Sequence, residues 1–317
     1  MRNFVSILAL AVSACSGPTP PPGTRAAEQP RYTAPAQIMT WNDLLSRPEV
    51  SATHTIQWGE GPTDIADLWL PERAGPHPVV LMVHGGCWQK AIADRTLMNW
   101  AADDLRKRGM AVWNIEYRGV DEAGGGYPGT FTDVARAADA VRGQAATYNL
   151  DLNRVAAFGH SAGGHLALWL AGRNRLPPTS PTRIDNPLPL VGVVNSGGLA
   201  DLAGSVGVTD RSCLADIYDD LVGKIGPGRA NVLSDTSPAE LLPLRVPQVS
   251  VNGHRDRIAP PVLGENWARK ARAAGDVSTV EVVLDTGHVE LVTPGSKAWE
   301  IEAAALARML GMKKVGG

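Results

Sequence analysis

Residues 155–170 read V-A-A-F-G-H-S-A-G-G-H-L-A-L-W-L and constrain the fold more than any other stretch. An apolar run of strand length ends in G-x-S-x-G and passes at once into small and apolar residues at helical spacing. Strand, sharp turn and helix in immediate succession is the context that lifts a serine hydroxyl clear of a sheet. Gly159 and Gly163 belong to that turn, because a side chain at either place would strike the neighbouring strand or helix. The helix that opens behind Ser161 directs its positive end toward whatever carbonyl the serine meets. A glycine-rich turn alone can produce the same pattern, so the rest of the chain has to supply a base, an acid and a polarising site.

The 317 residues are 44% hydrophobic, enough for one large α/β domain. The net charge of -2, with no Lys/Arg cluster, gives no electrostatic case for nucleic acid. Nine of the aromatic residues are Trp, an unusual weighting.

The first residues have the grammar of an export signal: Arg2, then a short apolar core, then V-S-A-C at 12–15. Nine apolar residues are too few to span a bilayer. V-S-A-C resembles the bacterial lipobox, which implies a signal over 1–14 and lipid on Cys15. Residues 15–36 are Pro-rich, lack a hydrophobic pattern and suit an extended tether. The expected location is therefore outside the cytoplasm, in the periplasm or at the bacterial outer membrane, with membrane contact only through Cys15. Cys87 and Cys213 could pair there, but nothing in the sequence shows that they meet, and two buried free thiols are expected.

Residues 37–317 read as one domain. A short amphipathic helix is expected over 37–48, then strands over 53–58, 64–70, 78–83 and 110–115. The 78–83 run is continuously apolar, as a strand covered on both faces requires. Helices follow over 94–108 and from Thr130 to about 149. Further strands are expected at 190–195, 248–252 and 280–284, with helices at 260–274 and 296–310. Strands alternating with helices call for a mostly parallel sheet of about eight strands with helices on both faces. Residues 197–247 break the rhythm and read as either a small helical cap over the site, the favoured expectation, or a long structural excursion.

A serine needs a base, and the base needs a carboxylate to fix its tautomer. His288 follows the last strand, and a loop at the carboxyl end of a parallel strand faces the same side as Ser161. Asp256 sits in a comparable loop and is the expected acid; Asp285 is the competitor. For the oxyanion, the backbone N–H of Ala162 is one donor, and those of Gly86 and Cys87, in H-G-G-C-W at 84–88, are the others. No metal-ligand spacing and no phosphate loop appears, so neither metal nor cofactor is expected.

H-G-G-C-W (84–88), N-I-E-Y-R-G (114–119), G-H-S-A-G-G-H (159–165) and N-G-H-R-D (252–256) resemble the esterase/lipase branch of the α/β-hydrolase superfamily over roughly residues 53–310. The H-G-G-x-W form is similar to kynurenine formamidase-like enzymes. The resemblance implies Ser161 as nucleophile, Asp256 and His288 completing the triad, and Trp88 bordering the acyl pocket. The expected activity is hydrolysis of a small carboxylic ester or activated amide through an acyl-enzyme. The alternatives are a prolyl-oligopeptidase-like amide hydrolase and a catalytically inactive binding protein.

Overall fold

The computed structural model describes residues 37–312. The export signal 1–14, Cys15 and the whole of the Pro-rich stretch 15–36 lie outside the described residues.

Eight strands form one sheet: β1 (His54–Gln57), β2 (Ile65–Trp69), β3 (His77–Val83), β4 (Ala111–Ile115), β5 (Leu150–His160), β6 (Gly192–Ser196), β7 (Gln248–Gly253) and β8 (Ser278–Val283). Their order is β1-β2-β4-β3-β5-β6-β7-β8. β2 pairs antiparallel with both β1 and β4, and β4, β3, β5, β6, β7 and β8 pair in parallel. This is the expected mostly parallel eight-stranded sheet. Every residue of β3 is buried, in keeping with its unbroken apolar run between β4 and β5.

Before the sheet comes α1 (Trp41–Leu45), shorter than the sequence pattern suggested. The longer helices are α2 (Asn99–Lys107), α3 (Gly129–Ala140), α4 (Ala162–Gly172), α7 (Pro261–Ala273) and α8 (Lys297–Met309). One apolar cluster holds α3, α4 and α7 side chains against the sheet; a second holds α2 and α8 side chains. Two covered faces explain why the central strands lack alternation. They also give the tryptophans a place: Trp69, Trp88, Trp113, Trp169, Trp267 and Trp299 are all fully buried. α4 is buried along nearly its whole length, so its sequence carries no polar face.

Residues 197–247 contain only α5 (Leu202–Ser205), α6 (Tyr218–Val222) and short 3₁₀ turns. This excursion is knotted into the body of the fold. Asp235 accepts hydrogen bonds from Tyr127 Oη (2.7 Å), Ser180 Oγ (2.8 Å) and the Arg229 guanidinium (2.7 Å). Arg229 also lies over the Tyr127 ring, 3.6 Å from its centroid.

Candidate active site

Ser161 stands between β5 and α4 with φ 55° and ψ −121°. A non-glycine residue rarely takes this conformation, and its strain projects the side chain out of the turn. The flanking glycines are needed for clearance. A Cβ on Gly159 would come 2.0 Å from the Gly163 carbonyl oxygen, and one on Gly163 would come 2.1 Å from that of Val83.

The loop after β8 brings His288 to the same cavity that Ser161 lines. Its Nδ1 lies 2.6 Å from Asp256 Oδ2. Asp256 Oδ1 accepts the backbone N–H groups of Ile258 (2.8 Å) and Ala259 (2.9 Å), which fixes the carboxylate in place. With Nδ1–H donated to Asp256, the Nε2 lone pair of His288 is left for a proton. Asp285 is exposed and makes no such contact, so the carboxylate that meets His288 is the one in the loop after β7.

The loop after β3 holds three successive residues at positive φ: Gly86 (105°), Cys87 (51°) and Trp88 (54°). Among the described residues, the N–H groups of Gly86, Cys87 and Ala162 find no acceptor. Gly86 and Cys87, both half-buried, border the cavity that also holds Ser161, and the buried Ala162 follows the serine directly, so these N–H groups are free to meet an oxygen beside it. Gly85 permits the close approach, since a Cβ there would lie 2.8 Å from His160 Nδ1 and 3.1 Å from Ser161 Cβ.

The motif at 114–119 braces this loop, a role its sequence did not reveal. Glu116, nearly fully buried, receives His84 Nε2 (2.9 Å) and Lys90 Nζ (3.0 Å). Burial alone would raise its pKa, but the charges and hydrogen bonds of His84 and Lys90 hold it well below the usual carboxylate range. The His84 ring stacks on Tyr117 at 4.2 Å, and Tyr117 Oη donates to the His84 carbonyl (3.0 Å).

Two expectations are corrected. Cys87 and Cys213 form a disulfide and are not free thiols: the excursion folds back over the loop, bringing their Cα atoms within 4.7 Å. Trp88 does not border the cavity. Its left-handed backbone turns the indole into the core, where Nε1 donates to His165 Nδ1 at 3.3 Å. His165 passes the interaction on, donating Nε2–H to the Thr236 carbonyl at 2.7 Å. Burial pushes the His165 pKa down to about 4, so the neutral ring serves as a link in the core.

His160, between Gly159 and Ser161, is also buried. Its Nε2–H donates to the His288 carbonyl (3.2 Å), and the two rings lie 4.4 Å apart. Burial and then the neighbouring His288 keep its pKa well below the ordinary value.

The cavity measures about 290 Å³. Its lining comes from Trp41, Leu45, Ile92, Ala93, Leu97 and Ile258, beside the loop and catalytic positions. No residue of 197–247 is among them, although that stretch packs behind the site: Thr209 Oγ1 donates to the carbonyl of Ile258, a lining residue.

Comparison with known proteins agrees with this architecture. Over 256 residues the chain is 27% identical to esterase LipC of Mycobacterium tuberculosis, covering 76% of this chain and 58% of that protein. It is 32% identical over 118 residues to a probable isoprenylcysteine alpha-carbonyl methylesterase of Arabidopsis thaliana, 36% of this chain and 23% of that one. The chain thus spans little more than half the length of the first of these relatives and a quarter or less of the second. Among solved structures, a truncated carbohydrate esterase from gut microbiota superposes with a TM-score of 0.66 at 20% identity, covering 81% of this chain and 95% of that one. Thermogutta terrifontis esterase 2 phosphonylated by sarin superposes with a TM-score of 0.67 at 18% identity, covering 83% and 95%. These likenesses establish the α/β-hydrolase fold. The BD-FAE family model matches residues 66–270, well over half of the sequence, and the chain belongs to the BD-FAE family.

Proposed function

We propose that this protein is a serine hydrolase that cleaves small carboxylic esters through an acyl-enzyme. The observation that carries the reading is the joining of the Asp256–His288 hydrogen bond (2.6 Å) with a strained serine and unpaired amides at one cavity. His288 Nε2 takes the Ser161 proton as Oγ attacks the carbonyl carbon. The carbonyl oxygen becomes an oxyanion between the N–H groups of Ala162 and of Gly86 and Cys87. The same proton then passes to the departing alkoxide, releasing the alcohol and leaving the acyl group on Oγ. Water attacks with His288 again as base, and the acid leaves.

The named activities of the relatives favour an ester over an amide. A prolyl-oligopeptidase-like reading needs a charged anchor for a peptide terminus, and the described lining has no Asp, Glu, Lys or Arg. Formamide cleavage follows from the H-G-G-x-W loop alone. The test is kcat/KM on p-nitrophenyl acetate and N-formylkynurenine, with Ser161→Ala alongside. Ester turnover should fall by about 10⁴-fold or more in the variant. Equal rates in the two proteins would remove the nucleophile from the proposal, and formamide turnover matching the ester would reassign the substrate.

We also propose export, with lipid on Cys15. The amino-terminal V-S-A-C and a disulfide between Cys87 and Cys213 support it, since such bridges persist in oxidising compartments. In a bacterial host the protein should fractionate with membranes, and Cys15→Ser should release it; membrane association unchanged by Cys15→Ser would refute the anchor.

A further inference from the structure

One wall of the cavity arrives from far upstream of the strands that carry the triad. Trp41 and Leu45 are the ends of α1, and both line the cavity with Ile92, Leu97 and Ile258. The Trp41 ring stands edge-on to His160 (6.1 Å) and to His288 (6.3 Å). The lining is apolar except at the histidines, the serine and the loop amides. At about 290 Å³ the space sits at the small end of the ~300–1,000 Å³ range of small-molecule pockets.

A five-residue helix is too short to hold itself. Thr40 and Asp43 form a reciprocal cap at its start. A buried carboxylate then ties it to the loop of the base. Glu290 Oε1 accepts the Met39 N–H (2.6 Å), and Oε2 accepts the Gly287 N–H (3.0 Å). Downstream, Arg47 Nη1 donates to the Pro294 carbonyl at 3.0 Å. Glu290 therefore orders the entry to α1 and the backbone beside His288 together. α1 and Glu290 both fall outside the stretch 66–270 that matches the family, so this wall is a feature the family match does not describe.

We propose that α1 is the specificity element of this site: Trp41 limits the length of the apolar group of the ester held beside Ser161, and Glu290 is the residue that positions it. The proposal rests on the ester-hydrolase reading above. It makes the substrate an uncharged ester with a short apolar group. A longer chain meets the indole before its carbonyl reaches the oxyanion amides.

The experiment measures kcat/KM along two series, p-nitrophenyl acetate to decanoate and the acetates of ethanol to octanol. Trp41→Ala should raise the long-to-short ratio by about tenfold or more in at least one series, chiefly through KM. Trp41→Phe should fall between. Glu290→Gln, which keeps one acceptor, should move the ratio the same way, a shift that a merely structural role would not give. Leu45 is 55% exposed and tolerates exchange, so Leu45→Trp provides a second route should Trp41→Ala not fold: it should lower the ratio. An unchanged ratio in both series, in folded variants, overturns the proposal. Fluorophosphonate labelling separates this from failure of the underlying reading. Labelled variants with unchanged ratios sink only the role of α1, whereas a wild-type protein that takes no label at Ser161 sinks the hydrolase reading as well.

Discussion

The loop after β3 and the loop after β8 reach one cavity and are held there by opposite means. The first carries its chemistry in the backbone. Its N–H groups are available only while Gly86, Cys87 and Trp88 all stay at positive φ, and a left-handed non-glycine residue costs about 1–2 kcal/mol. It is correspondingly over-anchored. A disulfide fixes Cys87, Glu116 draws in His84 and Lys90, and Asp121 accepts the N–H groups of Lys90 (2.8 Å) and Ala91 (2.9 Å). The second loop delivers a side chain. One short bond to Asp256, the His160 contact to the His288 carbonyl and the Glu290 clamp are enough to aim it. A backbone donor cannot be re-aimed by a rotamer, so its loop must be rigid; a ring with two torsions needs only a partner.

That contrast can be broken at either end. Asp256→Asn leaves the shape of the β8 loop intact and removes the acceptor that selects the His288 tautomer. The expected cost is about 10⁴-fold in kcat with little change in melting temperature. A small effect would mean that another group orients the ring. Cutting the disulfide tests the other loop. Cys213→Ser, or reduction of the native protein, should lower stability by about 2–4 kcal/mol. It should also cost about tenfold in kcat as the oxyanion amides lose their fixed aim. Stability lost with kcat unchanged would show that the Glu116 network alone holds the loop. The two perturbations should differ in kind, the first falling on chemistry alone and the second on both chemistry and unfolding.

Much of this was legible in the sequence where chemistry and local structure share the same residues. The apolar run of β5 and the G-x-S-x-G after it specify the strand, the turn and the strained position of Ser161 in one stretch. His288 and Asp256 follow because each sits just past a strand. What could not be read depends on how distant segments fold back. The Cys87–Cys213 pair is separated by 126 residues, and only the path of the excursion shows that they meet. Trp88 follows Cys87 directly, yet a left-handed backbone sends its ring inward to His165. The break in rhythm at 197–247 points to a cap or excursion and says nothing of what forms the near cavity wall. Trp41 and Leu45 supply it, and a five-residue amphipathic helix carries no signal of that role.

The disulfide also divides the chain in the unfolded state. It closes a covalent ring from Cys87 to Cys213, and that ring contains β4, β5, Ser161, α4 and β6. Asp256 and His288 lie on the tail outside it. A loop of this length removes roughly 5 kcal/mol of chain freedom in the entropic account of such bridges. A denatured but oxidised molecule therefore keeps Ser161 and the amides of Cys87 and Ala162 within one circle, with Gly86 just outside its edge. Asp256 and His288 are carried on the free arm, and they must find that circle again.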